Sequence, residues 1–424
     1  MYKSKICLFL IAILQALFCT SIEALELKYS PITFQDYLEV VRNNNANIEI
    51  AALNIQNAQA NKEADALYRL APNLTYSRGS YMNQLPYATY NTPQSNTYGV
   101  SFTVEGWGKR SARETLAQSK IERSAIELEK TRTTVELYAI NAYIEALRYS
   151  LTYKSCSDAL SKLSAYQGNA KKINAQNFLN KYKVSIEQSM AFSSLSMRNY
   201  SGDSLQGLPL PTGSLNYPIQ KFNLEELISQ GQSQRVEILS LQSEIEVADK
   251  NIHLTNQNRN INIYPYVSQT RMPAYTYSNG IAYQVTSTNY GSASVSGGSA
   301  NYTAQNSINA GVTIPLPISN YLQSADIVNA ANQKLEKELQ LRDLKVQIEI
   351  QVAQALIQYN QAKNQLIEAQ NSYEEVAKSP TKDAVNAIMD LRDKEGILLE
   401  AKANHLKQLV HLMRQSGNYS ALVL

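Results

Sequence analysis

Few side chains in this sequence have the type and spacing to do chemistry, and the most suggestive are carboxylates. Asp390 and Asp393, in Met389-Asp390-Leu391-Arg392-Asp393, stand three apart in a helical pattern and so share one helix face. Such a pair attracts cations where charge is concentrated; on an open, solvated face it does nothing more. The three histidines, His253, His405 and His411, fall on helical segments away from any Cys or acidic cluster at ligand spacing, and read as surface or packed residues. No Gly-rich phosphate loop, zinc-type His pair, CxxC or nucleophile elbow occurs. The expectation is therefore no catalytic residue, no cofactor and no metal site. Lys+Arg 39 against Asp+Glu 36 leaves +3, and nothing points to a nucleic-acid partner.

Positioning begins with export. Met1 to Lys5 is basic and Ile6 to Phe18 is apolar apart from Gln15, the layout of a secretory leader over residues 1–24, cut after Ala24 or alternatively after Ser21. That run is short of the roughly 20 residues a spanning helix needs, and no downstream stretch reaches it, which excludes a transmembrane helix bundle. With Cys7 and Cys19 in the leader, Cys156 remains alone and no internal disulfide is expected.

Beyond the leader the chain matches itself at an offset of 188 residues: Phe34 falls on Phe222, Ile50 on Ile238, Leu53 on Leu241, Ala60 on Ala248 and Lys62 on Lys250. This reads as a duplication, 25–200 and 222–424, joined by a Gly- and Pro-rich linker at 201–221. Each copy holds a polar helix, an almost uncharged stretch, and a very long helical pattern.

Those uncharged stretches decide which solvent the protein meets. From Asn73 to Val104 the only charge is Arg78, and from Ile261 to Pro315 it is Arg271. Tyr98, Val100, Phe102 and Val104 alternate with polar residues, as do Ile308, Ala310, Val312 and Ile314, which predicts strands. A soluble sheet with one wet face would alternate in the same way. The lack of charge, and 12 of 28 tyrosines in these two stretches, favour a membrane barrel with an aromatic girdle. Two hairpins, Asn73–Tyr81 with Thr97–Val104 and Ile261–Gln269 with Ser307–Ile314, give four strands. Four strands cannot close, and open edges are not viable in lipid, so a barrel must be shared between chains.

After each hairpin comes a helical run, from about Lys109 to Gly168 and from about Leu322 to Lys378, each roughly 90 Å at 1.5 Å per residue. Ile121, Leu128, Val135, Ala142 and Tyr149 recur every seven residues in the first, as Leu339, Val346 and Ala353 do in the second, with Ile350 and Ile357 beside them. This narrow stripe suits side-by-side coiled-coil packing. Amphipathic helices return over Ile173–Asn199 and Thr381–Gln415.

This order resembles the outer-membrane efflux protein family, which is TolC-like, over essentially the whole mature chain. Phe34 to Pro72 follows the family's opening helices. Glu-Gly-Trp-Gly-Lys-Arg at 105–110 looks like its strand-to-helix joint, with Glu105 where a proline is usual, and Ile-Pro-Leu-Pro at 314–317 looks like the second copy. Trp107, Gly108, Pro315 and Pro317 are then joint residues, Trp107 either an interfacial anchor or joint packing. The resemblance implies a mainly α fold with β: a homotrimer whose shared 12-stranded barrel lies in outer-membrane lipid above a coiled-coil tunnel across the periplasm. It implies an exit duct for a periplasmic adaptor protein and an inner-membrane transporter. Asp390 and Asp393 would line the constriction of its entrance. The tips at Gly168, Lys171 and Lys172, and at Lys378, Pro380 and Lys382, would face the adaptor. The competing class is a non-conducting structural or adhesive coiled-coil protein anchored in the outer membrane, which does not account for two matched hairpins.

Overall fold

The computed structural model describes residues 28–66, 72–80, 94–166, 170–202, 207–272, 275–277, 283–284, 294–295, 300–302, 305–315, 324–379 and 383–418. The expected leader, Gly168, Pro317, Pro380 and Lys382 lie outside the described residues. In chain order the first elements are β1 (Tyr29–Ile32), α1 (Phe34–Asn44), α2 (Ala46–Ala66), β2 (Asn73–Ser80), β3 (Gln94–Ser101), α3 (Lys109–Ser164) and α4 (Ala170–Ser201). There follow β4 (Leu208–Pro211), α5 (Leu224–Gln234), α6 (Val236–Gln257), β5 (Tyr264–Met272), four short strands β6 to β9 (275–277, 283–284, 294–295 and 300–302), β10 (Gln305–Thr313), α7 (Ser324–Lys378) and α8 (Ala384–Ser416). The described chain is mostly helical and forms two compact units, Met1–Ile55 with Ser124–Gln242 and Gln340–Leu424, and Gln56–Arg123 with Ser243–Leu339. No described helix is long and apolar enough to cross a membrane.

The second unit contains the sheet. Its four strands are antiparallel in the order β10-β5-β3-β2, so the two hairpins lie edge to edge through β3 and β5. The pairing aligns the alternation seen in the sequence into rows. Leu74, Val100, Val267 and Ala310 form one row across all four strands, and Tyr76, Tyr98, Gln269 and Ile308 the next of the same face. Between them lies the polar row Thr75, Gly99, Ser268 and Asn309 of the opposite face. The hydroxyls of Thr97 and Thr270 hydrogen-bond at 3.0 Å on that polar face. A Cβ at Gly99 would come within 2.5 Å of Thr75 Oγ1, so a larger residue there would force that side chain to turn. The apolar face is uncovered: Leu74 is 75% and Ile308 74% exposed. β2 and β10 are the outer strands of this sheet, each paired on one side only among the described residues.

The strands differ from the expected limits by up to three residues: β3 runs Gln94–Ser101 instead of Thr97–Val104, β5 Tyr264–Met272 instead of Ile261–Gln269, and β10 starts at Gln305 instead of Ser307; the joint to α3 explains the late start of β5. β5 begins at Tyr264 instead of Ile261 because the preceding residues are occupied at the joint. Asn262 Oδ1 accepts from the Gly106 N–H at 3.0 Å and from Lys109 Nζ at 2.8 Å, while Asn260 Nδ2 donates to the Trp107 carbonyl at 2.5 Å. Val104 still bridges to Ile263, so the apolar alternation runs past the end of the regular ladder. Four helical segments complete this unit, linked by polar pairs such as Lys334–Asp249 at 2.7 Å and Lys337–Glu244 at 2.8 Å. Pairs this exposed are screened by solvent and contribute little to stability.

In the first unit, β1 pairs in parallel with β4, and one continuous core holds two similar aromatic pairs. Phe34 meets Tyr143 edge-on at 5.3 Å and 72°, and Phe222 meets Tyr359 at 5.2 Å and 72°. Each tyrosine donates to a linker carbonyl, Tyr143 to Thr212 at 2.6 Å and Tyr359 to Gln220 at 3.0 Å. These bonds satisfy hydroxyls that burial would otherwise leave at a cost. The preceding short helices are capped alike: Thr33 accepts from the Asp36 N–H at 3.2 Å and Asn223 from the Glu225 N–H at 3.1 Å.

His405 lies against Tyr359 at 5.2 Å in this core, with its Nε2 buried and without a partner. Burial, then the charge of Lys363, lowers its pKa below the ordinary 6.5. The unfolded chain therefore takes up the proton first, so stability is full above 6.5 and is lost as pH falls below it. Thermal unfolding in detergent should shift downward between about pH 7 and pH 5. His405→Leu should flatten part of that slope; a profile that His405→Leu leaves unchanged would contradict this assignment.

On α7, Val328, Leu335, Leu339, Val346, Ile350 and Ile357 follow one another at intervals of seven and four, and all are exposed. Seven plus four is an eleven-residue period, which keeps the row on one side of a nearly straight helix; it is an apolar seam that the described residues of the chain do not cover.

Candidate functional site

α8 carries the two candidate carboxylates. Its start is fixed by Asp383, whose side chain accepts from the Val385 N–H at 3.0 Å. Its end is fixed by Gly417 in the left-handed region at φ +73°. Between them, Asp390 and Asp393 are both exposed on one face of the helix.

Their surroundings differ. Arg392 Nη1 donates to Asp393 Oδ1 at 2.6 Å, and the same guanidinium lies 3.8 Å from the centre of the Tyr182 ring on α4. The arginine side chain is 8% exposed and that of Asp393 is 55% exposed, so a buried cation holds one carboxylate at the surface. No hydrogen bond or ion pair holds Asp390 among the described residues. One turn further on, Glu395 accepts from Ser155 Oγ at 2.6 Å. Sequence reasoning missed Arg392. Its adjacency to Asp393 was visible, but the ring that lets its guanidinium be buried sits on a different helix and was not.

The helix tips come together. Lys171 Nζ reaches Asp383 Oδ2 at 2.9 Å, linking the start of α4 to the start of α8. Lys172 donates to the carbonyls of Ser164 and Tyr166, closing the end of α3 at Ser164 and not at the expected Gly168. Lys378 pairs with Glu374 at 3.0 Å within α7. The three described tip lysines are thus partnered locally, and the hydrogen bond from Lys171 lowers the pKa of Asp383.

At the strand-to-helix joint, Gly108 has φ +84° and Gly106 admits no Cβ, which would approach the Ile261 carbonyl to 2.6 Å. Trp107 between them is 95% exposed, so it packs no part of this joint. Glu105, where the resemblance led to a proline, makes a two-pronged ion pair with Arg113 at 2.6 and 2.8 Å. Both side chains are at least nine-tenths buried, and Arg113 Nε also donates to the Asp65 carbonyl at 3.2 Å. Pro315 is exposed after β10. No group of His, Cys, Asp and Glu among the described residues has the arrangement of a metal site.

No protein-family model matches the chain, and no curated protein matches it in sequence. Solved structures do match in fold. The chain is similar to CusC, described with transmembrane channel formation, at TM-score 0.63 and 11% identity over 90% of this chain and 91% of that one. It is similar to the CmeC outer membrane channel of Campylobacter jejuni at 0.58 and 14%, over 91% and 85%. It is also similar to the MtrE outer membrane channel of Neisseria gonorrhoeae in its open state, at 0.57 and 16%, over 90% and 88%. The likeness spans nearly the whole of both chains in each comparison, and it gives this protein the fold of the TolC-like outer-membrane channels.

Proposed function

We propose that this protein is the outer-membrane exit duct of a tripartite efflux or type I secretion system. It is a homotrimer that conducts solutes passively and catalyses no reaction. The observation that carries the reading is the sheet of the second unit: four strands, one face of exposed apolar side chains, one polar face, and an outer edge at each side. Lipid suits the first face and a water-filled lumen the second. The edges need partners that only further chains supply, since an unpaired backbone group in hydrocarbon costs several kcal/mol. Three copies would give twelve strands, and the uncovered α7 seam offers a neighbouring helix a place to pack.

The matched aromatic clusters and caps of the two halves support an origin by duplication, with repeats at 25–200 and 222–424. Asp390 and Asp393 are assigned to the constriction, and the joined tips of α4 and α8 to the adaptor, through which an inner-membrane transporter supplies the energy. Because the tip lysines are already partnered, docking there rests on shape and hydrogen bonding more than on net charge. Purified protein in planar bilayers should show discrete conductance steps. A stalk or adhesin of the same mass would show none, and that result would overturn the duct.

A further inference from the structure

Eighteen residues of α-helix make five full turns, about 27 Å. Gln408 and His411 therefore lie on the same face of α8 as Asp390 and Asp393, each exactly eighteen positions on. They form one wall of a groove of about 960 Å³ whose other walls come from α3 and α4, with Gln358 of α7. That is near the upper end of the roughly 300–1,000 Å³ range of small-molecule sites.

The groove is aromatic and polar together. Tyr138 and Tyr200 lie parallel, 6.3 Å apart and inclined by 8°, and Phe192 is 78% exposed at the rim. Serine hydroxyls and the Gln188 amide of α4, with Gln358 of α7, line the rest. Glu145 and Lys407 line the groove as a pair, and Glu145 also accepts from Arg148, which stands behind the lining, at 2.9 Å, so one carboxylate serves two cations. Arg148 also lies 4.1 Å over the Tyr149 ring. Burial pushes the pKa of Lys407 down, which a second anion nearby would offset.

We propose that this groove is a binding site for a planar aromatic monoanion, set in the wall of the conduit. The ring stacks among Tyr138, Phe192 and Tyr200, and the negative group sits toward Lys407, whose partner Glu145 is held from behind by Arg148. The inference rests on the duct reading for the direction in which the groove opens; the site itself rests on the groove's own residues. The duct would then hold such a solute in passing instead of offering it an inert wall.

The probe is 2-naphthoate, with cyclohexanecarboxylate as the ringless anion and 2-naphthylmethylammonium as the cation of similar shape. Equilibrium dialysis against purified trimer should show naphthoate bound and both controls bound at least about ten-fold more weakly, with a similar loss in the Phe192→Ser protein. In planar bilayers naphthoate should interrupt the current, read as the ratio of blocked to open time within each trace. Equal binding of the three probes, or binding unchanged by Phe192→Ser, overturns the site. Binding without interruption of a conducting channel overturns its place in the conduit and leaves the duct intact. No conductance at all overturns the duct reading, while dialysis still decides the site. If Phe192→Ser dissociates the trimer, a neighbouring chain fills the groove and the inference fails.

Discussion

Replacing Asp390 and Asp393 together by alanine is expected to raise the concentration of a periplasmic multivalent cation that half-blocks the current by at least about ten-fold. The reason is concentration of charge. Two unit charges 4 Å apart interact by about 1 kcal/mol in water and about 4 kcal/mol at an effective dielectric of 20 near a protein surface. Carboxylates gathered by symmetry in a narrow mouth gain from that increase, and a multivalent ion collects it several times over. The structure sharpens the prediction, because the two carboxylates are not equivalent: Asp393 already has the Arg392 guanidinium at 2.6 Å, whereas Asp390 faces solvent. Asp390→Ala alone should therefore relieve more of the block than Asp393→Ala alone. Arg392→Gln should strengthen the block by releasing Asp393. Trimer formation should survive the two aspartate changes, since both side chains are exposed. A double variant with its block unchanged would place the constriction elsewhere on the chain.

The joint below the sheet carries the second large effect. Glu105→Ala should destabilise the protein by about 3–5 kcal/mol, the cost of leaving a buried guanidinium without its carboxylate. Arg113 is only 10% exposed on its side chain, and its other hydrogen bond is to the neutral Asp65 carbonyl. The paired change Glu105→Met with Arg113→Met should recover much of the loss, because it removes both buried charges at similar volume. The measurement is the temperature at which the unboiled oligomer dissociates, compared across the single and paired variants. A single variant that dissociates at the wild-type temperature would show that the ion pair does not hold the joint.

Alternation was legible in the sequence because a strand has a period of two whatever it pairs with, and Tyr98, Val100, Ile308 and Ala310 do share one face. Register was not, since it depends on which backbone groups are already engaged; Asn260 and Asn262 are drawn into the joint, and β5 starts three residues late. The long helices were legible from their heptads to within a few residues, and their ends less so, because side chains such as Lys172 decide where the last carbonyls are satisfied. Single residues whose role depends on a distant partner were hardest to read. Arg392 needs Tyr182 on another helix, and Glu105 looked like a lost proline until Arg113 was found opposite it. The groove between α3, α4 and α8 left no trace in the sequence, because its aromatic residues are scattered over two helices at unremarkable spacings.

The claim beneath all of this is that the sheet is completed by other copies of the chain. Unboiled protein in mild detergent, sized by native mass spectrometry, tests it directly: the account predicts a single species of three chains that boiling converts to monomer. A folded monomer that keeps its strands and stays soluble in detergent would contradict it, because the outer edges of β2 and β10 would then need no partner.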